Sequence, residues 1–263
     1  MAGDRTPELD RISRALERAA EALRPFTSGA IAHTLKDRGD PLTEADLAVN
    51  RVLHETLPRP GEGWLSEETA DDADRLGRSR VWVVDPIDGT QEFVQGIPEW
   101  CVSIGLVEDG VPVAGGIMNP ATGETVVGAV GHGVTLNGRP AAVSSRPTLD
   151  GAVVLASRSE TNRGEWDRYA GAPFEVRPCG SVAYKLALVA AGVCDMTWTL
   201  VPKSEWDVAG GAALVRAAGG RVLLSDGTER GFNLPVTKLP DFLAGPPALL
   251  EQLRAEWLDS RAV

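Results

Sequence analysis

The apolar run Val81-Trp82-Val83-Val84 passes directly into Asp85-Pro86-Ile87-Asp88-Gly89-Thr90. β-Branched and aromatic residues in succession read as a buried strand, which needs other elements packed around it. The same strand delivers two carboxylates and a Gly-Thr turn to one fixed point. Pro86 stiffens that turn, and Gly89 allows backbone to approach a ligand closely. Two acids against a buried strand cost desolvation unless something cationic pairs with them, and ligands of α/β folds gather at such strand ends. The pattern points to a metal ion and a phosphate.

The chain is 263 residues long and 43% hydrophobic, enough for one large domain or two closely packed smaller layers. Its 26 Lys and Arg against 37 Asp and Glu give a formal net charge of -11, which disfavours a broad electrostatic grip on nucleic acid, and only 5% of residues are aromatic, few for base stacking. Cys101, Cys179 and Cys194 lack metal-ligand or disulfide-framework spacing and read as buried thiols. No apolar run approaches the ~20 residues a membrane helix needs, so a soluble, cytoplasmic protein is expected.

Thr6-Pro7-Glu8 starts an amphipathic helix through Leu23, and Thr43 opens a second that Pro58 and Pro60 end. Strands are expected at Val81 to Val84, Cys101 to Val107, Val111 to Met118 and Glu124 to Val130, forming an antiparallel meander. Beyond the compositional shift at Pro140 to Asp150, strands alternate with helices. Strands fall at Ala152 to Ala156, Asp195 to Leu200 and Arg221 to Leu224; helices fall at Ser181 to Ala191, Trp206 to Ala218 and Pro247 to Leu258. This divides the chain into an N-terminal α+β portion, 1–145, and a C-terminal α/β portion, 146–263.

Four acidic islands lie at element boundaries: Asp40 to Asp46, Ser66-Glu67-Glu68-Thr69, Asp85 to Thr90 and Glu205-Trp206-Asp207. Hard divalent cations such as Mg2+ take oxygen ligands and keep positions open for phosphate and water, so carboxylates from separate loops suit them. Each island also has a structural reading. Thr43-x-x-Asp46 has the form of a capping box, Glu67-Glu68 of a solvated turn, and Asp207 of a carboxylate complementing a helix dipole. His33, His54 and His132 lie outside the islands and read as surface or structural residues.

The stretch WVVDPIDGTQEFVQGIPEWCVSIG from Trp82, with LSEET from Leu65, GSVAYKLALVAAG from Gly180 and WDVAGGAALVRAAGG from Trp206, resembles the inositol monophosphatase superfamily in both content and order. That resemblance implies a layered αβαβα fold and a lithium-sensitive, Mg2+-dependent phosphomonoesterase with two or three cations per site. It implies that Glu67, Asp85 and the carbonyl of Ile87 hold one metal, and that Asp85, Asp88 and Asp207 hold a second. Thr90, hydrogen-bonded to Asp46, would orient the attacking water with help from Glu68, and the backbone of Gly89 and Thr90 would cradle the phosphate. Gly180 and Ser181 fall on the substrate side, and relatives are commonly homodimers, for which Trp64, Trp100 and the meander from Cys101 to Met118 offer surface, unless the tryptophans are core.

For the substrate, a small phosphorylated metabolite, Gln91-Glu92-Phe93 resembles the CysQ-type 3'(2'),5'-bisphosphate nucleotidases more than the inositol enzymes. Inositol enzymes also place a Glu seven residues before the Trp-Asp motif's Asp, where this chain has Leu200, or Thr199 with a one-residue gap. The resemblance implies 3'-phosphoadenosine 5'-phosphate as substrate, with Lys203 and Arg158 meeting a second phosphate. Inositol 1-phosphate, fructose 1,6-bisphosphate and histidinol phosphate are the alternatives, and a non-catalytic metal-binding regulator is the remote one.

Overall fold

A computed structural model describes residues 3–35, 41–71 and 73–258. Asp40, the first residue of the earliest acidic island, and the expected loop from Lys36 to Asp40 lie outside the described residues. In chain order the elements begin with α1 (Thr6–Leu23), β1 (His33–Leu35), β2 (Pro41–Thr43), α2 (Glu44–Thr56), β3 (Gly63–Ser66), β4 (Arg80–Asp88) and α3 (Thr90–Gln95). The meander follows as β5 (Cys101–Glu108), β6 (Val111–Asn119), β7 (Glu124–Ala129), β8 (Gly133–Leu136) and β9 (Arg139–Ala141). Then come β10 (Val153–Ser157), α4 (Arg158–Asn162), β11 (Glu175–Cys179), α5 (Val182–Ala190), β12 (Met196–Thr199) and β13 (Lys203–Ser204). The chain closes with α6 (Glu205–Ala217), β14 (Arg221–Leu223), β15 (Lys238–Leu239), β16 (Phe242–Gly245) and α7 (Pro247–Leu253), the last continuing into a wider π-type turn, Arg254–Leu258.

Among the described residues two large sheets form. One is seven-stranded in the order β3-β4-β5-β6-β7-β8-β9, and the other five-stranded in the order β11-β10-β12-β16-β14. The expected meander is present, extended by β8 and β9 and flanked at its start by β3, which runs parallel to β4. In the second sheet β10 pairs in parallel with β11 and β12, and β16 runs antiparallel between β12 and β14.

Side-chain alternation turns these sheets into layers. Along β4, Trp82 and Val84 pack into one buried cluster with Ile12, Leu16, Val49 and Leu53 of α1 and α2. Val81 and Val83 point the other way, into a cluster with Leu186 and Val189 of α5 and Val208, Ala212 and Val215 of α6. That second cluster also takes in Leu155 of β10 with Phe242 and Ala244 of β16, so α5 and α6 lie between the two sheets. The outer face of the five-stranded sheet, with Val154, Met196, Trp198 and Leu243, is covered by Leu249, Leu250 and Leu253 of α7 and by Trp166, Tyr169 and Phe174. The result is the expected αβαβα sandwich. Trp100 is buried edge-on against Phe93, so it serves the core rather than an outer face.

α6 approaches the first sheet unusually closely, because glycines face it. A Cβ on Gly115 would lie 2.5 Å from the carbonyl oxygen of Gly210, and one on Gly105 would lie 2.8 Å from the Gly210 nitrogen. Backbone thus packs on backbone where α6 crosses β5 and β6, and this contact sets the depth at which α6 begins. A methyl here must push the helix off the sheet, so Gly115→Ala is expected to destabilise the protein by about 1–3 kcal/mol, read as a lowered urea midpoint with an unchanged m-value.

Candidate active site

The strand that carries Asp85 does not stop where the apolar run ends. β4 continues to Asp88, with a shift in its pairing to β5 between Asp85 and Asp88, at the point where Pro86 has no N–H to give the ladder. The irregularity lets Asp85 and Asp88 face the same side. Asp85 Oδ1 accepts the backbone N–H of Ile87 at 3.0 Å, closing a local turn. Gly89 follows at φ 95°, and a Cβ there would sit 3.0 Å from the Glu99 carbonyl oxygen, so glycine is required both for conformation and for room.

From between the two sheets, α6 brings Asp207. Carboxylate oxygens of Asp85, Asp88 and Asp207 all lie within 4.8 Å of one another, with Asp85 and Asp88 buried and Asp207 partly open. They line a cavity of about 570 Å³ together with Glu67, Gly89, Thr90, Gln91, Glu92, Lys203, Ser204 and Lys238. Glu67 arrives on the turn after β3 and lines the same cavity.

The electrostatics follow from this crowding. Burial, reinforced by Glu67, Asp88 and Asp207, pushes the Asp85 carboxyl far above the usual range. Burial raises Asp88 too, against the N–H of Ala183 and the hydroxyl of Ser181 that favour its ionised form. Burial and the neighbouring Asp88 and Glu67 lift Asp207 to about 8. Acids this close ionise together only if a cation joins them, so the donor set fits hard divalent ions such as Mg2+.

Thr90 and Asp46 meet as expected. Thr90 Oγ1 lies 3.3 Å from Asp46 Oδ1 and 2.9 Å from the carbonyl oxygen of Ile87. Asp46 is also the capping-box acid of α2: its Oδ2 accepts the Thr43 N–H at 2.8 Å and the Thr43 hydroxyl at 2.6 Å. Asp207 likewise holds the start of α6, its Oδ2 accepting the Ser204 N–H at 2.8 Å. The capping reading of these two acids therefore holds, and the same carboxylates also face Thr90 and the acidic cluster.

The remaining expected residues divide. Lys203 lines the cavity and pairs with Glu160 at 3.4 Å. Ser181 reaches Asp88 Oδ2 at 2.7 Å, and the Gly180 N–H donates to Glu99 Oε2 at 2.7 Å. Glu68, half-buried beside Glu67, donates its backbone N–H to Ser66 Oγ at 3.2 Å and does not line the cavity. Arg158 does not line it either, because its guanidinium grips both oxygens of Glu99. Of the histidines, His54 packs edge-on against Trp64 at 4.9 Å, and His132 Nε2 accepts the Arg5 N–H. The three cysteines are free and buried. Lys238, which no sequence motif marks, reaches the cavity because β15 pairs with β13 and sets Lys238 opposite Ser204. A two-residue ribbon between distant segments leaves no periodic signal.

The inositol monophosphatase family profile matches residues 8–257. Inositol monophosphatase 3 of Solanum lycopersicum is 36% identical over 246 residues, 88% of this chain and 90% of that protein. The chain belongs to the inositol monophosphatase family. The extragenic suppressor protein SuhB of Bartonella henselae superposes with a TM-score of 0.81 at 29% identity, covering 98% of this chain and 100% of that one. CysQ of Bacteroides thetaiotaomicron superposes with a TM-score of 0.75 at 27% identity, covering 91% of this chain and 97% of that one. The protein is thus a metal-dependent phosphomonoesterase that uses Mg2+, and the acidic cluster suits that ion. Among the described residues no helix is long and apolar enough to cross a membrane.

The raised carboxyls predict a linkage between protons and metal. Asp207 titrates near 3.8 when unfolded and about 8 when folded, so the metal-free fold carries a proton that the unfolded chain loses. Metal-free stability should therefore fall as pH rises from 6 to about 8. Glu108, held low by the Arg5 guanidinium, titrates below that window. Urea midpoints in chelator should decline across the window and the decline should shrink in Mg2+. Calorimetric Mg2+ titration at pH 7 in buffers of different ionisation enthalpy should show proton release.

Proposed function

We propose that this family member removes one phosphate from a bisphosphorylated nucleotide, converting 3'-phosphoadenosine 5'-phosphate and water to AMP and phosphate. The observation that carries this reading is the pair Lys203 and Lys238, one register position apart across the β13–β15 ribbon, both lining the same cavity as the carboxylates. A monophosphate whose charge is met by metal needs no such pair, whereas a second phosphate does. Gln91-Glu92-Phe93 supports the same reading. So do the two positions where an inositol enzyme would carry an acid for substrate hydroxyls. Thr199 is buried and donates its hydroxyl to Glu160 at 2.7 Å, and Leu200 is apolar and exposed.

In this reading Glu67, Asp85, the Ile87 carbonyl, Asp88 and Asp207 hold the Mg2+ ions, with Glu68 acting on them through water. Bound Mg2+ supplies charge neutralisation for the phosphate and for the leaving oxygen. The chain's own part begins at Thr90. Its hydroxyl has one hydrogen and two acceptors within reach, Asp46 Oδ1 and Ile87 O. Donation to Asp46 leaves the Thr90 oxygen to accept from an incoming water, and Asp46 is the next stop for the proton. Gly89 and Thr90 offer backbone N–H groups on the cavity wall to the phosphate, and Gly180 and Ser181 border the substrate through the turn that touches Asp88. Arg158 acts at one remove, by holding Glu99 on the Gly180 N–H. Lithium inhibition and a cytoplasmic homodimer complete the reading.

A second reading, inositol 1-phosphate hydrolysis, is favoured by the similarity to a protein named inositol monophosphatase. Phosphate release measured on both substrates with Mg2+ separates the two: a much higher kcat/KM on inositol 1-phosphate would overturn the nucleotide assignment. Lys203→Ala and Lys238→Ala should each raise KM for the bisphosphate about tenfold, the worth of one charge-assisted contact, and leave KM for 3'-AMP or simple monoesters nearly unchanged. Asp88→Asn should abolish turnover while circular dichroism reports an intact fold.

A further inference from the structure

Lys185 is a buried charge that the chemistry above does not use. It lies in α5 and is 3% exposed. Its Nζ donates to the carbonyl oxygen of Ser181 at 2.6 Å and to that of Cys179 at 3.3 Å. Among the described residues it has no carboxylate ion-pair partner within 4.0 Å. An ammonium kept from water is unfavourable, so these two carbonyls, with the more distant charges of Asp88 and Glu160, are its compensation.

The two carbonyls flank Gly180, in a turn held in an unusual shape. Ser181 has φ 54° and ψ 127°, a region that side chains with a Cβ avoid and that persists only when surroundings enforce it. Lys185 holds the carbonyl side of the turn. Glu99, itself gripped by Arg158, accepts the Gly180 N–H from the other side. The pinned turn aims two donors at one atom, since the Ser181 hydroxyl at 2.7 Å and the Ala183 N–H at 2.5 Å both reach Asp88 Oδ2. Ser181 Oγ also accepts the Tyr184 N–H at 3.0 Å, which directs its single hydrogen toward Asp88.

The geometry points to Lys185 as a positioning residue for metal binding: it keeps the Cys179–Ser181 turn in its left-handed form, and that turn fixes Asp88 Oδ2 and leaves Oδ1 available to a cation. This rests on Asp88 being a metal ligand, and it is independent of which phosphate ester is cleaved. Two roles for a buried lysine near a cation site predict opposite signs. As a bare positive charge it would repel the metal, and its removal would tighten binding. As a positioning residue its removal weakens binding, because Asp88 loses its fixed orientation.

The test uses Mn2+ alone, with binding to the full-length protein followed by the electron paramagnetic resonance of free Mn2+. Lys185→Met should raise the Mn2+ dissociation constant about tenfold, the lower end of what outer-shell changes cost. Ser181→Ala should also weaken binding, and the double variant Lys185→Met/Ser181→Ala should lose less than the two single effects combined, because the lysine acts through the turn that carries the serine. Unchanged or tighter Mn2+ binding by folded Lys185→Met overturns the proposal, as does additivity in the double variant. If Lys185→Met does not fold, Ser181→Ala decides, with wild-type affinity refuting and a tenfold loss supporting. Asp88→Asn separates the failures: if it leaves Mn2+ affinity unchanged the ligand assignment is at fault and the positioning role falls with it, whereas if it alone weakens binding only the role of Lys185 is overturned.

Discussion

Three carboxylates within 4.8 Å of one another, taken out of water, repel one another and lose their hydration. Much of the structure is arranged around this conflict. Each acid has one oxygen tied to its own scaffold: Asp85 to the Ile87 N–H, Asp88 to Ser181 and the Ala183 N–H, and Asp207 to the Ser204 N–H. These bonds offset part of the desolvation and fix each side chain. They do not cancel the mutual repulsion, which only a cation or a proton relieves. The raised pKa values are thus the metal-free signature of a site shaped for positive charge.

Bringing the three acids together is a task for the layers. Asp85 and Asp88 stand on a central strand of the first sheet, and Asp207 stands on the first turn of a helix sandwiched between both sheets. The distance between them is therefore set by how closely α6 packs on β5 and β6. Glycines at 105, 115 and 210 make that contact backbone on backbone. A helix held off by ordinary side chains would carry Asp207 outward, so small residues in the core and carboxylates in the cavity are parts of one geometric requirement.

Much of this was legible in the sequence, and the exceptions share a cause. The strand at Val81, the meander and the helices at Thr43 and Trp206 each carry a local periodic or capping signal, and they sit where that signal puts them. The acids at 46, 67, 85, 88 and 207 were readable because each stands at an element boundary. What escaped depends on contacts between distant segments. Lys238 reaches the cavity only through its pairing with the 203–204 ribbon, and Arg158 is withdrawn by Glu99, fifty-nine residues away. The run of apolar residues also concealed where β4 ends, because the shifted pairing at Pro86 continues the strand through Asp88 in a form that periodicity does not report.

Asp46 and Asp207 show why a structural explanation of an acid does not compete with a chemical one. Both occupy the third position of a helix whose cap is Thr43 or Ser204, where a capping box ordinarily carries Glu or Gln. A carboxylate has two oxygens, and at each site the cap engages Oδ2. At Asp46 the other oxygen faces Thr90; at Asp207 the carboxylate also belongs to the acidic cluster. The cap alone does not ask for aspartate, since the longer side chains satisfy it as well. Aspartate has one fewer side-chain torsion, so once an oxygen is bound to the backbone the second is held nearly as rigidly as the helix itself. The choice of aspartate, repeated at two helix starts that meet the same strand, suits a side chain whose second oxygen faces Thr90 at one site and the acidic cluster at the other.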